Sequence, residues 1–507
     1  MTTIPIRFGT DDDFAQVRQL FLDHGFNDDE VGKRHEEQRA PFRPYGKPSL
    51  IPADADAQET LFGLFLKSGS ASREHLTGRL GAPAVASLEN LGMLRTAENG
   101  QVEGSVRVRP MFELYIVSDR WLAPEEREKP MEDDVVFPPD TKNALTYLPF
   151  LPLHPCQRYL EVCGGSGAAA LIAAKNFAGH AYSFDITERS TVFAQFSGRL
   201  NGITNFTAGQ GDLYEPAGDL MFDRIAAHPP FVPVLDHTWI FHAGGNDGEQ
   251  ITRRLVQELP ERLLPGGRFY CRCLGSDREE GPMEVRVRRW LGEKQAEFDV
   301  GLVVIQMVEP SAYVTTSLLR SQTGPGDLPR WREMFDRARI GRFLACMIVI
   351  QRRAENRPVF TARRDHGPFS GPRELEWLIQ WETMRVTGAA RKMILNSKLT
   401  AGPVELSVRH KAGDGDWEMH GQTLSVKHPY LGNWEVEPWA AYLVPRPAGK
   451  MTGMDLYREF QEKGAISPDT PPEAFADALA ELVSGGFLVP EGHPHPEPRK
   501  HPWNKGE

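Results

Sequence analysis

A glycine-rich turn between an apolar run and a helix-compatible run is the feature that most constrains the fold of this 507-residue chain. The run Leu160-Glu161-Val162 leads into Cys163-Gly164-Gly165-Ser166-Gly167, and the small residues from Ala168 to Ala174 follow. Residues without a Cβ let a ligand come close to the backbone of such a turn. We therefore predict a strand, a ligand-binding loop and a helix in succession.

Further predicted strands lead to acidic or motif residues in the same part of the chain. Asp185 ends the β-like run that starts at Ala181, and Asp212 follows the short run from Asn205 to Ala208. A third run, Asp223 to Ala227, leads directly into His228-Pro229-Pro230-Phe231. Ligands of open α/β sheets bind outside the carboxyl ends of the strands. The order of these elements predicts a nucleotide-type site on an α/β sheet.

The polar residues at these strand ends suit a methyl donor with an adenosine and a methionine moiety. Asp185 can accept hydrogen bonds from both ribose hydroxyls, and Asp212 is placed for the adenine amino group. Glu161 would orient the turn or bind the donor's amino group through water. The turn lacks the Gly-x-Gly-x-x-Gly spacing of dinucleotide-binding units. We therefore favour a methyl donor over a dinucleotide.

Three segments together resemble a known superfamily. They are 223–233, with the His-Pro-Pro-Phe motif, Gly244 to Gly248, and Leu263 to Phe269. They resemble the class I methyltransferases that modify amide or exocyclic amino nitrogens. The release-factor glutamine methyltransferases are the most similar, and the small-domain rRNA guanine methyltransferases are similar too. The resemblance covers roughly residues 141–353 and implies an α/β, Rossmann-like core with a mostly parallel seven-stranded sheet.

The resemblance also implies S-adenosylmethionine as the cofactor and assigns roles to residues. Cys163 stands where the family has its first glycine, which is tolerable if the backbone angle there is ordinary. The carbonyl of Pro229 and the ring of Phe231 match positions that hold and stack on the target group. We place at the cofactor Glu161, Cys163, Gly165, Gly167, Asp185 and Asp212, and at the reacting group His228, Pro229 and Phe231.

His228 departs from the family, which has Asn, Asp or Ser at this position. The side-chain oxygen of those residues accepts a hydrogen bond from the target nitrogen. Neutral imidazole can accept the same bond, but it can also take a proton, with an ordinary pKa of about 6.5. A general base suits a phenol, a carboxylic acid or a thiol better than an amide. Nitrogen methylation, oxygen or sulfur methylation, and loss of activity all remain open.

The length predicts roughly three domains. We expect an N-terminal helical, winged-helix-like domain at 1–137, the methyltransferase domain at 138–355, a C-terminal α+β accessory domain at 356–490 and a disordered Pro- and His-rich tail at 491–507. Within this domain, residues Glu59 to Val108 are predicted to form three short helices and a β-hairpin, and the third of these helices, Ala84 to Asn90, has no Lys or Arg, which favours a structural or substrate-cap role over nucleic-acid binding.

Two further expectations concern residues outside the motifs. A helix from Thr141 to Leu148 would cover the cofactor. Three tryptophans in the C-terminal domain, Trp417, Trp434 and Trp439, are expected in its core.

Charge and composition narrow the partners. The net charge of −11 disfavours a protein whose affinity comes from neutralising phosphates. We therefore expect a protein side chain or a small molecule as the methyl acceptor. The alternatives are an rRNA base methyltransferase and a nucleic-acid- or protein-binding module that retains the S-adenosylmethionine-binding fold without catalysis. The sequence predicts no oligomeric state.

The sequence predicts no membrane-spanning segment, no signal peptide and no metal site. No apolar run is long enough to span a membrane, and the N-terminus lacks an apolar signal core, which favours the cytoplasm. The histidines His228, His237 and His242 lack regular ligand spacing, and the cysteines form no Cys-x-x-Cys pair, so we predict no metal site.

Overall fold

The structure is a computed structural model that describes residues 3–37, 49–120, 133–139, 154–236, 239–320, 325–367 and 370–491. The predicted helix from Thr141 to Leu148, His237 and the predicted tail beyond residue 491 lie outside these ranges. Contacts divide the chain into two compact units. Of the described residues, unit 1 holds those within 1–275 and 317–339, and unit 2 holds those within 276–316 and 340–491.

The N-terminal part of unit 1 is mainly helical. Its elements are α1 (Asp11–Asp23), α2 (Asp28–Glu37), α3 (Ala57–Leu66), β1 (Ser70–Ala71), α4 (Arg73–Leu80), α5 (Ala82–Asn90), β2 (Leu94–Thr96), β3 (Val102–Gly104), β4 (Val106–Met111) and β5 (Leu114–Asp119). Thr10 caps α1 by accepting from the Asp13 amide at 3.2 Å, and acidic residues fill the first turn of α1, where carboxylates are favourable. Helices α3, α4 and α5, followed by the paired strands β2 and β3, appear in the order that the sequence predicts for residues 59–108. The assignment of this part as a winged helix stays a prediction.

The α/β part of unit 1 carries the predicted glycine turn. Its elements are β6 (Cys156–Val162), α6 (Ala168–Asn176), β7 (Ala178–Asp185), α7 (Glu188–Leu200), β8 (Phe206–Gln210), β9 (Phe222–Ala227), α8 (Gln250–Arg262) and β10 (Leu263–Arg278), whose last residues enter unit 2, followed later by α11 (Leu328–Arg337). Helix α6 is buried from Ala168 to Ala174, which explains its uniformly small and apolar sequence.

Five parallel strands of this part lie in the order β10, β9, β6, β7, β8. After β6, the chain forms β7 and β8 on one side of β6, and it then forms β9 and β10 on the opposite side of β6. This reversal is the topological switch point of a doubly wound sheet, where ligands bind at the carboxyl ends of the strands. The predicted α/β, Rossmann-like fold is confirmed.

The N-terminal helices and the α/β part share one hydrophobic core. Phe14 packs edge-on against Phe196 of α7, with ring centroids 5.0 Å apart, and both rings belong to the same buried cluster. Strand β5 is tied to α7 by backbone groups as well. The Val117 amide donates to Ser197 Oγ at 3.0 Å, and the Tyr115 amide donates to Asn201 at 2.8 Å. The N-terminal part thus completes its core with a helix of the α/β part.

Unit 2 combines a short mixed sheet with helices and hairpins. Its elements are α9 (Met283–Trp290), β11 (Phe298–Val308), α10 (Pro310–Arg320), which extends from unit 2 into unit 1, β12 (Ile340–Arg352), β13 (Thr361–Asp365), α12 (Pro372–Thr387), α13 (Ala389–Asn396), β14 (Leu399–Ala401), β15 (Glu405–Ala412), β16 (Trp417–Val426), β17 (Gly432–Val436), α14 (Pro438–Leu443), α15 (Gly453–Glu462), α16 (Pro472–Ser484) and β18 (Leu488–Pro490). Strand β11 pairs antiparallel with β12 and parallel with β13. Strand β13 lies past residue 355, where the sequence predicts the end of the methyltransferase domain. The boundaries proposed for the three domains stay a prediction.

None of the helices in the described residues is both long and apolar enough to cross a lipid bilayer.

Candidate active site

A cavity of about 720 Å³ opens at the carboxyl ends of the parallel strands of unit 1. It lies at the switch point between β6 and β9, because the glycine turn follows β6 and the His-Pro-Pro-Phe motif follows β9. All predicted site residues line this cavity except Gly167, which instead begins α6 with a φ of +73°. The lining residues from the prediction are Glu161, Cys163, Gly165, Asp185, Asp212, His228, Pro229 and Phe231.

The glycine turn is fastened to the end of β7. The Gly165 amide donates to Asp185 Oδ2 at 2.9 Å, and the Thr187 amide donates to Asp185 Oδ1 at 3.1 Å. Gly165 has a φ of +54°, and a Cβ built on it would meet no atom within 4 Å. The face of the turn at Gly165 is therefore open, and the Asp185 carboxylate is held in a fixed orientation beside it.

Glu161 links the end of β6 to the start of α6 by a hydrogen bond beneath the glycine turn. Its side chain is only 2% exposed, and Oε2 accepts a hydrogen bond from the Ala170 amide in the first turn of α6 at 2.8 Å. A carboxylate is favourable at the positive N-terminal end of a helix. This contact matches the first of the two roles considered for Glu161, which is to orient the turn.

The backbone angle at Cys163 is not an ordinary one, so the condition under which a cysteine would be tolerable in the glycine turn is not met. Cys163 has a φ of +58°, in the left-handed region that costs a residue with a Cβ roughly 1–2 kcal/mol. Burial raises the pKa of its thiol, and the nearby Asp185 and Asp212 carboxylates raise this pKa further. The thiol therefore stays protonated at neutral pH and is a poor nucleophile.

Replacing Cys163 with glycine should stabilise unit 1. Cys163→Gly relieves the left-handed strain, but it also gives the unfolded chain more freedom, so we expect a net gain of up to about 1 kcal/mol. Cys163→Ala keeps the strain and serves as the matched control. Equilibrium unfolding in urea would compare the two variants, and a glycine variant no more stable than the alanine variant would contradict the presence of strain.

Asp212 is not free to serve a ligand alone, because it pairs with an arginine that the sequence did not predict. Arg254 Nη2 of α8 donates to Asp212 Oδ2 at 2.7 Å, and this bond raises the pKa of the guanidinium. Both side chains are partly exposed to the cavity, at 42% and 45%. Arg254 therefore adds hydrogen-bond donors to the part of the cavity wall beside Asp212. The sequence had predicted only a carboxylate there.

His228 lies on the cavity wall directly after β9. Its ring centroid is 5.4 Å from that of Phe231. Burial, together with the charge of Arg272, lowers the pKa of His228 to about 3. The imidazole is therefore neutral at physiological pH. A base this weak retains little capacity to take a proton from an acceptor, whereas its ability to form a neutral hydrogen bond is retained.

The loop that carries Phe231 is held by the glycine segment downstream of the motif. The Val232 amide donates to the His242 carbonyl at 3.1 Å, and the Gly244 amide donates to the Val232 carbonyl at 2.8 Å. A Cβ on Gly244 would lie 2.7 Å from the Phe231 backbone, and one on Gly248 would lie 2.5 Å from the Phe231 carbonyl oxygen. The two glycines are therefore needed for the loop to pack closely.

A second wall of the cavity is supplied by residues 133–139, which the sequence did not identify as part of the site. Asp119, at the end of β5, accepts from the Val136 amide at 2.8 Å. The same carboxylate makes a two-pronged ion pair with Arg189 of α7, at 2.7 Å and 2.6 Å, and both side chains are over 90% buried. Asp119 thus fixes this wall to the rest of unit 1.

Aromatic rings complete this side of the cavity. Phe137 stacks on Phe241 with centroids 5.2 Å apart, and Trp239 stacks on Phe241 with centroids 5.6 Å apart. The Ile240 amide donates to the Asp133 carbonyl at 3.1 Å, which joins the two segments. The aromatic surface formed by Phe137, Trp239 and Phe241 is therefore suited to flat or aliphatic groups.

Comparison with known proteins finds similarity over part of the chain. The ribosomal protein uL3 glutamine methyltransferase of Bradyrhizobium diazoefficiens is 31% identical over 140 residues, which are 25% of this chain and 44% of that protein. The release factor glutamine methyltransferase of Geobacter sulfurreducens is 31% identical over 121 residues, which are 21% of this chain and 42% of that protein. The chain spans less than half the length of these relatives. These similarities confirm the predicted resemblance to the glutamine methyltransferases.

Solved structures resemble the chain only loosely as a whole. A methyltransferase from Pyrococcus furiosus is 16% identical, covers 42% of this chain and 84% of its own, and has a TM-score of 0.26. No protein-family model matches the chain.

Proposed function

We propose that this chain is an S-adenosylmethionine-dependent methyltransferase and that its acceptor is a side-chain nitrogen of a protein. The observation that carries the proposal is the single cavity that joins the Gly165 turn to the His-Pro-Pro-Phe motif across the switch point of the sheet. The names of the two relatives above, one for a ribosomal protein and one for a release factor, support a protein acceptor.

The residues present fit the charge of the proposed donor, which carries a positive sulfonium. The described lining contains the carboxylates of Asp133, Asp134, Glu161, Asp185 and Asp212, against the single guanidinium of Arg254. Carboxylates favour a nearby cation. The same excess of carboxylates opposes a polyanionic RNA acceptor, which needs a basic surface. It supports the proposed function over rRNA methylation.

Each residue has a distinct part in the proposed reaction. When bound, the donor would supply an electrophilic methyl group for an in-line displacement, in which the bond from carbon to the acceptor nitrogen forms as the carbon–sulfur bond of the sulfonium breaks, the neutral thioether leaves, and the methylated nitrogen gives its proton to solvent. Gly165 leaves room for it, and Asp185 is oriented to accept from its ribose hydroxyls. Pro229 and Phe231 hold the acceptor, and the apolar wall around Phe241 excludes water from it. Positioning of this kind is the main source of rate enhancement in such a displacement.

His228 would act as a hydrogen-bond acceptor and not as a base. The pKa of about 3 keeps the imidazole neutral, so that one ring nitrogen can accept from an N–H of the acceptor and orient its nitrogen lone pair toward the methyl group. This role is the one that the oxygen of Asn, Asp or Ser performs in the family. It favours nitrogen methylation over oxygen or sulfur methylation, for which removal of a proton matters more.

Calorimetry with S-adenosylmethionine tests donor binding. We expect Asp185→Asn to weaken binding about 10- to 100-fold, because a charge-assisted hydrogen bond is lost. Asp219→Asn makes the same chemical change at an exposed position outside the cavity and should leave the affinity unchanged. Absence of binding by the native chain at millimolar donor would overturn the enzyme proposal.

Mass spectrometry tests the acceptor. The chain would be incubated with donor and either a purified release factor or ribosomal protein uL3, the two acceptor types named for the relatives. A gain of one methyl group on a glutamine side chain would support the proposal. Donor binding without methylation of either protein would show that the acceptor assignment is wrong while the cofactor assignment stands.

A further inference from the structure

Unit 2 carries a β-ribbon whose outer strand is exposed along its whole length. The ribbon consists of β15 (Glu405–Ala412), β16 and β17, paired antiparallel in that order. All eight residues of β15 are exposed to solvent. Within the residues that the structure describes, no strand pairs with the outer side of β15. Its outward backbone N–H and C=O groups are thus available to another strand.

One face of the ribbon is apolar and bare toward its tip. Leu406 and Val408 of β15 are 49% and 43% exposed, and Trp417 and Met419 of β16 are 68% and 54% exposed. The base of the same face is covered, since Leu424 is 2% exposed. The expectation that the tryptophans are in the core is therefore wrong, because Trp417, Trp434 and Trp439 are 68%, 36% and 42% exposed.

A platform for nucleic-acid bases does not explain this face. The ribbon and its turns, residues 405–436, contain Glu405, Asp414, Asp416, Glu418 and Glu435 but only three cations, Arg409, Lys411 and Lys427. A groove that follows a phosphate backbone needs the opposite balance of charge. An exposed apolar face of this kind usually marks an interface with a protein.

We propose that β15 pairs antiparallel with β15 of a second copy of this chain, about a two-fold axis at Val408. The sequence of the strand is complementary to itself in this register. Glu405 lies opposite Lys411 of the second copy, Leu406 lies opposite its His410, and Val408 lies opposite its own equivalent. Two opposite-charge pairs then lie on either side of the central Val408 pair, and such cross-strand pairs stabilise a sheet.

Other registers are less favourable. Centring the axis on Arg409 would place two guanidinium groups opposite each other. Centring it on Ser407 would oppose Glu405 to Arg409, whose guanidinium already pairs with Glu435 across the ribbon. The register centred on Val408 uses Lys411 instead and leaves the bond between Arg409 and Glu435 intact.

The two-fold arrangement covers the open edge of β15 and leaves the apolar face of the ribbon on the surface of a longer sheet. Antiparallel pairing lays the tip of one ribbon beside the base of the other. At the base, Trp434 packs edge-on against Phe487 with centroids 5.0 Å apart. Trp417 and Met419 of β16 stay one strand away from the second copy, because β15 lies between them and the new edge contact.

Sedimentation velocity of the full chain over a range of concentrations tests the proposal. We expect a dimer. Val408→Lys places two like charges on the axis and should raise the dimer dissociation constant at least about tenfold. Asn433→Lys adds the same charge to β17, on the far edge of the ribbon, and should leave the constant unchanged. A chain that stays monomeric at all concentrations, and so leaves β15 for a different protein, overturns the proposal.

A charge swap separates edge pairing from any other mode of association. Glu405→Lys and Lys411→Glu should each raise the dissociation constant about tenfold, because each replaces two attractive pairs by two repulsive ones. The double variant restores both pairs and should return to within about twofold of the native constant. A double variant as weak as the single variants would show that Glu405 and Lys411 do not face each other, which overturns the register.

Discussion

Asp119→Ala is expected to lower the free energy of unfolding of unit 1 by about 3–5 kcal/mol, because it leaves the Arg189 guanidinium buried without its carboxylate partner. The two side chains are 8% and 9% exposed, so water cannot replace the lost bonds. The same change removes the acceptor of the Val136 amide. The loss is therefore both to the buried ion pair and to the wall of the cavity.

Hydrogen exchange of the amides of Glu188–Leu200 would measure this loss, because that helix carries Arg189 and lies in the core of unit 1. Asp11→Ala is the matched control. Asp11 pairs with Arg199 at 2.6 Å, but its side chain is 95% exposed, and exposed pairs contribute little. Similar protection in both variants would contradict the structural role assigned to Asp119.

His228→Ala is expected to lower the turnover number about 100- to 1000-fold, as loss of one preorganised hydrogen-bonding group in an active site typically does. The affinity for S-adenosylmethionine should stay within about twofold, because His228 lies on the acceptor side of the cavity. His180→Ala removes an imidazole outside the cavity and should leave turnover unchanged. This prediction rests on the proposed function, and an unchanged turnover number in His228→Ala would remove His228 from the mechanism.

Two further measurements separate a hydrogen-bond acceptor from a base. His228→Asn introduces the family's residue and should retain turnover within about tenfold of the native chain if only a hydrogen bond is needed. A general base with an ordinary pKa would make turnover fall as the pH drops below about 6.5. Because the pKa of His228 lies at about 3, the imidazole does not gain a proton in that range, and we expect turnover to be independent of pH between about 5 and 8 as far as His228 is concerned.

Acid should also destabilise the fold through this residue. The unfolded chain binds a proton at His228 below its ordinary pKa of about 6.5, whereas the folded chain stays neutral until the pH approaches 3. The unfolded state therefore binds more protons between these values, and the stability of unit 1 falls as the pH is lowered through this window.

The sequence predicted the parts of the site that depend on local order along the chain. Strand, turn and helix follow one another directly from Cys156 to Asn176, so the alternation of apolar and glycine residues was enough to place the loop. Asp185 and His228 could be placed at the cavity because Asp185 ends its strand and His228 directly follows its own strand. Parallel strands bring their carboxyl ends to one edge, which is why residues so far apart in sequence line the same cavity.

The missed features depend on contacts that no local pattern records. Asp119 and Arg189 come from different parts of unit 1, and nothing near either residue indicates its partner. Arg254 falls in the helix after the motif, where an arginine is ordinary, and only the fold brings it to Asp212. The sequence leaves the backbone angle at Cys163 open, because a cysteine can adopt either sign of φ. Only the fold fixes this angle at +58°. The exposure of Trp417 was missed because tryptophan is usually found largely buried.

The core shared by the N-terminal helices and α7 has a consequence for how the chain is made. Phe14 leaves the ribosome long before Phe196, the ring it packs against, so the first helices emerge with an apolar face that has nothing yet to cover it. Contacts so distant in sequence close slowly, and the nascent chain passes through a stage that is prone to aggregation. Cutting the gene near codon 137 would make this stage permanent for the N-terminal fragment, because its buried cluster would lose Phe193, Phe196 and Leu200. The N-terminal part is therefore expected to lose stability when it is separated from the α/β part.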